Sequence, residues 1–114
     1  MENNRAFDKD EVLKRFDEDK DFLAELVEIF INDAPEQLSE IQKAVDNRND
    51  EEIQKSAHKL KGAISNFEEK EAYEVALKIE TMGRNNRLDG VEEAYDTLVK
   101  KVEYLLNELR EFVE

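Results

Sequence analysis

Between Val91 and Phe112 the apolar residues Val91, Tyr95, Leu98, Val102, Leu105, Leu109 and Phe112 are separated alternately by four and three positions. That alternation keeps one stripe on one side of a helix and is the seam of a helical bundle. A seam of this length must be covered, and other stripes in the chain can cover it. From about Asp19 to Val45 the residues Leu23, Leu26, Val27, Phe30, Ala34, Leu38, Ile41 and Val45 hold a helical period through Pro35, which predicts one kinked helix. A third stripe, Ile53, Ala57, Leu60, Ile64 and Phe67, marks a helix over about 50 to 67. A fourth, Ala72, Val75, Ala76, Ile79 and Met82, marks one over about 70 to 84.

Local signals place the ends of these segments. Asp8 with Glu11 three residues on reads as a capping box for a short first helix over about 8 to 16, with Phe7 and Val12 as its hydrophobic staple. Asn49 with Glu52 repeats the signature before the third stripe, Gly83 and Asn85-Asn86 read as stop signals, and Asp89 reads as the cap of the last helix. No strand-like alternation, internal repeat or low-complexity linker interrupts the pattern. The expected fold is therefore all-α, an antiparallel up-down-up-down four-helix bundle with a short additional N-terminal helix, in a single domain spanning 1–114. The seam would also suit a coiled-coil oligomer, but four stripes with short connections can satisfy one another within a monomer.

His58 is the one histidine, and the helix that carries it has two sides. At about 100° per residue, with His58 at zero, Gln54 falls near −40°, Lys61 near −60°, Gly62 near +40° and Ser65 near −20°. The apolar stripe lies roughly opposite, so His58 and Lys61 are expected to point outward. A glycine in a helix interior costs about 1 kcal/mol relative to alanine. Gly62, one turn after His58, would leave a bare patch over which a partner's backbone or a phosphoryl group can approach, while Lys61 offers a cation for phosphate oxygens. A glycine that permits a close helix crossing is the plainer alternative.

Charge sets the same segment apart. The formal net charge is −13, which argues against non-specific nucleic-acid binding. Residues 53 to 67 nevertheless contain Lys55, Lys59 and Lys61 and no carboxylate, where an even distribution would place about four. With no cysteine, a disulfide framework is impossible and zinc is improbable with one histidine. Lys55, three before His58, occupies the place where a di-iron bundle needs glutamate. The absence of a bilayer-length apolar run or an N-terminal apolar leader leads to the expectation of a cytoplasmic protein with no membrane association.

The run His58-Lys59-Leu60-Lys61-Gly62 reads H-x-L-K-G. It is preceded by Ala57, followed by a small-residue run ending in Asn66-Phe67, and succeeded at the expected distance by Leu77-Lys78-Ile79-Glu80-Thr81-Met82-Gly83-Arg84. On these residues the chain resembles the histidine-containing phosphotransfer (HPt) domains of two-component phosphorelays. Glu68 departs from the family, which usually has glycine at the turn after this helix. The resemblance implies that His58 is the phosphorylation site, that Lys61 stabilises the transferred group and that Gly62 gives access. It implies partners in response-regulator receiver domains, with a hybrid sensor histidine kinase as a further candidate, and Mg²⁺ supplied by the receiver.

By their spacing alone Glu80 and Arg84 form an ordinary i, i+4 surface pair. The resemblance offers them a second role. Some family members carry a basic residue near the phosphohistidine at the place of Arg84, and in the phosphotransfer domains of chemotaxis kinases a glutamate at the spacing of Glu80 hydrogen-bonds the histidine. Gln54, Lys55, Lys59 and Ser65 are expected to form the rim of the docking face. With no glycine-rich phosphate loop and no ATP motif, the chain reads as a phosphocarrier with no cofactor of its own, and not as an enzyme. Two alternatives remain: the phosphorylatable input domain of a chemotaxis-type histidine kinase, and a non-catalytic helical adaptor with an inert histidine.

Overall fold

A side-chain acceptor stands at the start of four of the five helices. In the computed structural model, which describes residues 8–113, these are α1 (Lys9–Arg15), α2 (Lys20–Asp46), α3 (Asp50–Ser65), α4 (Lys70–Arg84) and α5 (Val91–Val113). Asp8 accepts from the N–H groups of Asp10 and Glu11 at 3.0 and 3.3 Å, Asp19 from that of Phe22 at 3.0 Å, and Asn49 from that of Glu52 at 3.1 Å. Each bond satisfies a donor that the first helical turn leaves without a partner. Glu69 does the same for α4, accepting from Ala72 at 2.6 Å and Glu71 at 3.3 Å. The staple proposed for Phe7 lies outside the described residues.

Two expected boundaries change. The last helix starts at Val91, directly after Gly90 at φ +83°, and its first backbone bond runs from Ala94 N–H to Gly90 O, so Gly90 stands in the place expected for Asp89. Gly83 is no stop signal, because it lies inside α4 and is buried. The helices end instead on residues in the left-handed region that carry side chains: Asp17, Arg48, Glu68 and Asn86, at φ between 48° and 57°. After α2, Arg48 N–H donates to Val45 O and Asn49 N–H to Ala44 O, both at 3.0 Å, which closes the helix in a Schellman motif. Glu68 adopts φ +57°, so the turn after α3 keeps the conformation that glycine favours although glycine is absent.

α2 continues unbroken through Pro35, which stands on the exposed side. The four long helices pack in chain order, α2 on α3, α3 on α4 and α4 on α5, and α2 closes on α5. No strand occurs among the described residues. The enclosed core is drawn from the expected stripes, with Leu23, Ile41, Ile53, Leu60, Ile64, Phe67, Ile79, Leu98, Leu105 and Leu109 fully buried. Phe30 and Phe67 meet with ring centroids 5.2 Å apart, and Tyr95 donates its hydroxyl to Leu38 O at 3.0 Å. Val12 of α1 is fully buried and belongs to the same core cluster.

One stripe is rotated from its expected direction. On α4, Val75 and Met82 are only half-buried, whereas Glu80 and Gly83 join Ala72, Ala76 and Ile79 in the interior. The reason is close approach to α3. A Cβ on Gly83 would fall 2.7 Å from Asp50 O and 2.8 Å from Gln54 N, closer than atoms can sit against backbone. Nothing lies within 4 Å of the corresponding point at Gly62. The glycine that permits the helix crossing is therefore Gly83, and Gly62 faces open space.

Candidate functional site at His58

The crossing that Gly83 permits brings α4 against the first half of α3. One turn from the Gly83 and Gln54 contact, His58 and Glu80 face each other, with His58 Nδ1 2.9 Å from Glu80 Oε2. The His58 side chain is 66% exposed while that of Glu80 is 4% exposed, so a buried carboxylate grips one edge of an exposed ring. Lys61 Nζ lies 2.8 Å from Glu80 Oε1, an ion pair by distance that lacks the alignment of a directional hydrogen bond. Arg84 Nη2 donates to Oε2 at 3.1 Å. The expectation of a surface pair for Glu80 and Arg84 is thus overturned, because Glu80 is the buried hub of the cluster.

Lys61 also departs from its expected place. Its side chain is only 15% exposed, and its ammonium sits 5.8 Å from the centre of the Tyr73 ring. Its position on α3 lies off the apolar stripe, but α4 comes close enough to cover what α3 alone would expose. Burial pushes the Glu80 carboxyl up in pKa; the nearby Lys61 cation and the bond with His58 outweigh it and hold the group below the ordinary carboxylate value. Glu80 is accordingly ionised at neutral pH. An ionised carboxylate only accepts, so the proton shared with His58 resides on Nδ1, and in the neutral tautomer this selects, the lone pair is on Nε2.

The decisive comparison is with family models. The Hpt domain model matches residues 25–112. The chain belongs to the Hpt family. No curated protein and no solved structure shows a significant match. The Hpt match spans four helices and omits α1, and it carries a role in histidine phosphotransfer within two-component signalling.

Around the histidine of this Hpt domain, the residues expected at the rim are differently engaged. Lys55 pairs with Glu51 at 3.5 Å and Lys59 with Glu40 at 3.9 Å, both at exposed positions, so the basic island is partly neutralised by its neighbours. Ser65 donates its hydroxyl to Gly62 O at 2.6 Å. Gln54 is half-buried and, with Glu51, Lys55, His58 and Glu80, lines an open groove of about 390 Å³ beside the ring. Tyr73 stands on none of the expected stripes, and Gly83 is expected only as a helix stop. The signal for both lay in Ala72, Ala76, Glu80 and Gly83, which share one face of α4 at a spacing of four, four and three.

Among the described residues no group of three or more carboxylates and histidines is placed to hold a metal ion, and no helix is long and apolar enough to cross a membrane.

Proposed function

We propose that this Hpt domain accepts a phosphoryl group on Nε2 of His58 from the phosphoaspartate of a receiver domain and passes it to another receiver. The observation that carries this reading is the Nδ1 to Glu80 bond at 2.9 Å on a ring that is two-thirds exposed. A histidine held through one nitrogen by a buried carboxylate presents its other nitrogen, unprotonated, to the surface. In the forward step the Nε2 lone pair forms the N–P bond as the P–O bond of the acyl phosphate breaks, and the aspartate leaves as carboxylate. The Nδ1 proton stays in the bond to Glu80, which offsets the positive charge that develops on the ring.

The remaining groups divide the electrostatic work. Lys61, mostly covered and committed to Glu80, acts on the reaction through that carboxylate. Arg84 is 49% exposed and has further N–H groups to turn toward phosphoryl oxygens. Gly62, with open space above it, supports access for the receiver, which would bring Mg²⁺ and the in-line geometry that phosphoryl transfer requires. Pairs such as Arg48 with Glu92, Leu38 with Tyr95 and Glu40 with Lys59 support the antiparallel up-down-up-down order for the bundle. A cytoplasmic monomer that does not turn over ATP is the setting this reading implies.

The test is incubation with radiolabelled phospho-receiver domains from the same genome. Acid-labile label on the native chain and none on His58→Gln is the expected result; label retained by His58→Gln would overturn the assignment, and no label on either would leave the adaptor and a kinase-fed domain, which labelling by a histidine kinase with ATP separates. The bond from Glu80 to His58 also favours a second reading, the input domain of a chemotaxis-type kinase. In that case label would come from a histidine kinase with ATP and not from a phospho-receiver.

A further inference from the structure

Lys61 must be held in place by something other than its ion pair. Its four-carbon stem carries substantial rotamer freedom, and its contact with Glu80 Oε1 is close but poorly aligned. Tyr73 supplies the second restraint. It stands seven residues before Glu80, two turns back on the same face of α4, and its ring packs partly against the core. The Lys61 ammonium therefore has both a carboxylate at 2.8 Å and an aromatic ring with its centre at 5.8 Å. At 15% exposure water competes weakly for that cation, which is the condition under which an aromatic face contributes most.

We propose that Tyr73 is a positioning residue for His58, acting through Lys61 and Glu80. The ring keeps the ammonium against Oε1, and the neutralised carboxylate keeps Oε2 on Nδ1 of His58. If the ring is removed, Lys61 gains rotamers that lead to solvent. Glu80 then loses its nearest cation and shares its charge between His58 and Arg84 alone, and the imidazole is held less firmly with Nε2 outward. This inference rests on His58 being the phosphoacceptor.

The experiment uses phosphoramidate as donor, so that no protein partner has to dock. Nε2 displaces ammonia from phosphorus, the P–N bond of the donor breaks and the new N–P bond forms on the ring. The full chain is compared with Tyr73→Phe, which keeps the aromatic face, and with Tyr73→Leu and Tyr73→Met, two apolar replacements of different shape. Phosphorylation of His58 should stay within about twofold for Tyr73→Phe and fall by about three- to thirtyfold for Leu and Met, the range expected for loss of one cation–π contact largely shielded from water. In parallel, the Glu80 carboxyl, followed by carbon-13 NMR, should titrate at higher pH in the Leu and Met variants and as in the native chain for Phe. A purely structural role for Tyr73 would not move that titration while helicity is retained.

Native rates and an unmoved Glu80 titration in whichever of Tyr73→Leu and Tyr73→Met folds would overturn the inference, as would a loss equally large in Tyr73→Phe. The His58→Gln chain separates the two levels. If it takes up acid-labile phosphate as the native chain does, the site reading itself fails, whatever the Tyr73 variants do.

Discussion

Lys59 and Lys61 are two positions apart on one helix, yet substitution should distinguish them. Lys59 is 60% exposed and paired loosely at 3.9 Å, so Lys59→Ala should change stability by no more than about 0.5 kcal/mol. Lys61 neutralises a buried carboxylate, and its loss leaves Glu80 with His58 and Arg84 only. Lys61→Ala should therefore cost about 1 to 3 kcal/mol in urea unfolding, and equal losses for the two variants would contradict the buried pair. A pH dependence follows from the same carboxylate. Because the folded state holds Glu80 below its ordinary value of 4.5, the group contributes stability above that value and loses it as pH falls through the folded pKa. The destabilisation caused by Glu80→Gln should thus be largest near neutrality and shrink below pH 4.5. Glu69 acts in the opposite sense: burial raises its carboxyl despite the capping bonds, so its contribution is lost as pH rises, and only the difference between native and variant isolates Glu80.

Among the helices, α4 is the one whose placement decides the site, and its two neighbouring glycines make opposite predictions. Gly83→Ala places a methyl within 3 Å of the α3 backbone at Asp50 and Gln54 and should destabilise by about 1 to 3 kcal/mol. Gly62→Ala meets nothing within 4 Å and should stabilise by up to about 1 kcal/mol from helix propensity. Thermal denaturation of the pair tests the crossing directly, and destabilisation by Gly62→Ala would contradict it. The helices, the caps at Asp8 and Asn49 and the outward phase of His58 were legible because each depends on neighbours within one or two turns. The burial of Lys61 and Glu80 was not, since it depends on how near α4 comes to α3. That distance is set by small side chains, whereas a stripe that includes Val75 and Met82 is centred too far to one side and leaves Glu80 and Gly83 out of the interior, although Ala72, Ala76 and Ile79 are buried as expected.

For the molecule as a whole, the formal charge of −13 opposes compaction while the helical ring of α2 to α5 favours it. Raising salt from about 0.01 M to about 1 M shortens the Debye length from about 30 Å to about 3 Å and should raise the melting temperature by a few degrees. A fall over that range would mean that exposed pairs such as Arg48 with Glu92 and Lys101 with Glu71 outweigh the repulsion. The family was legible in five consecutive residues, and the resemblance already offered Glu80 as the partner of the histidine; that Glu80 is buried and also holds Lys61 depends on how α3 and α4 meet. The central claim is that Glu80 holds Nδ1 and leaves Nε2 to react. It is tested most directly by nitrogen-15 and phosphorus-31 NMR of the chain after transfer from a phospho-receiver, which locates the N–P bond. Phosphorus bonded to Nε2 of His58, with Nδ1 still protonated, is the result predicted; phosphorus on Nδ1, or on any other residue, would contradict it.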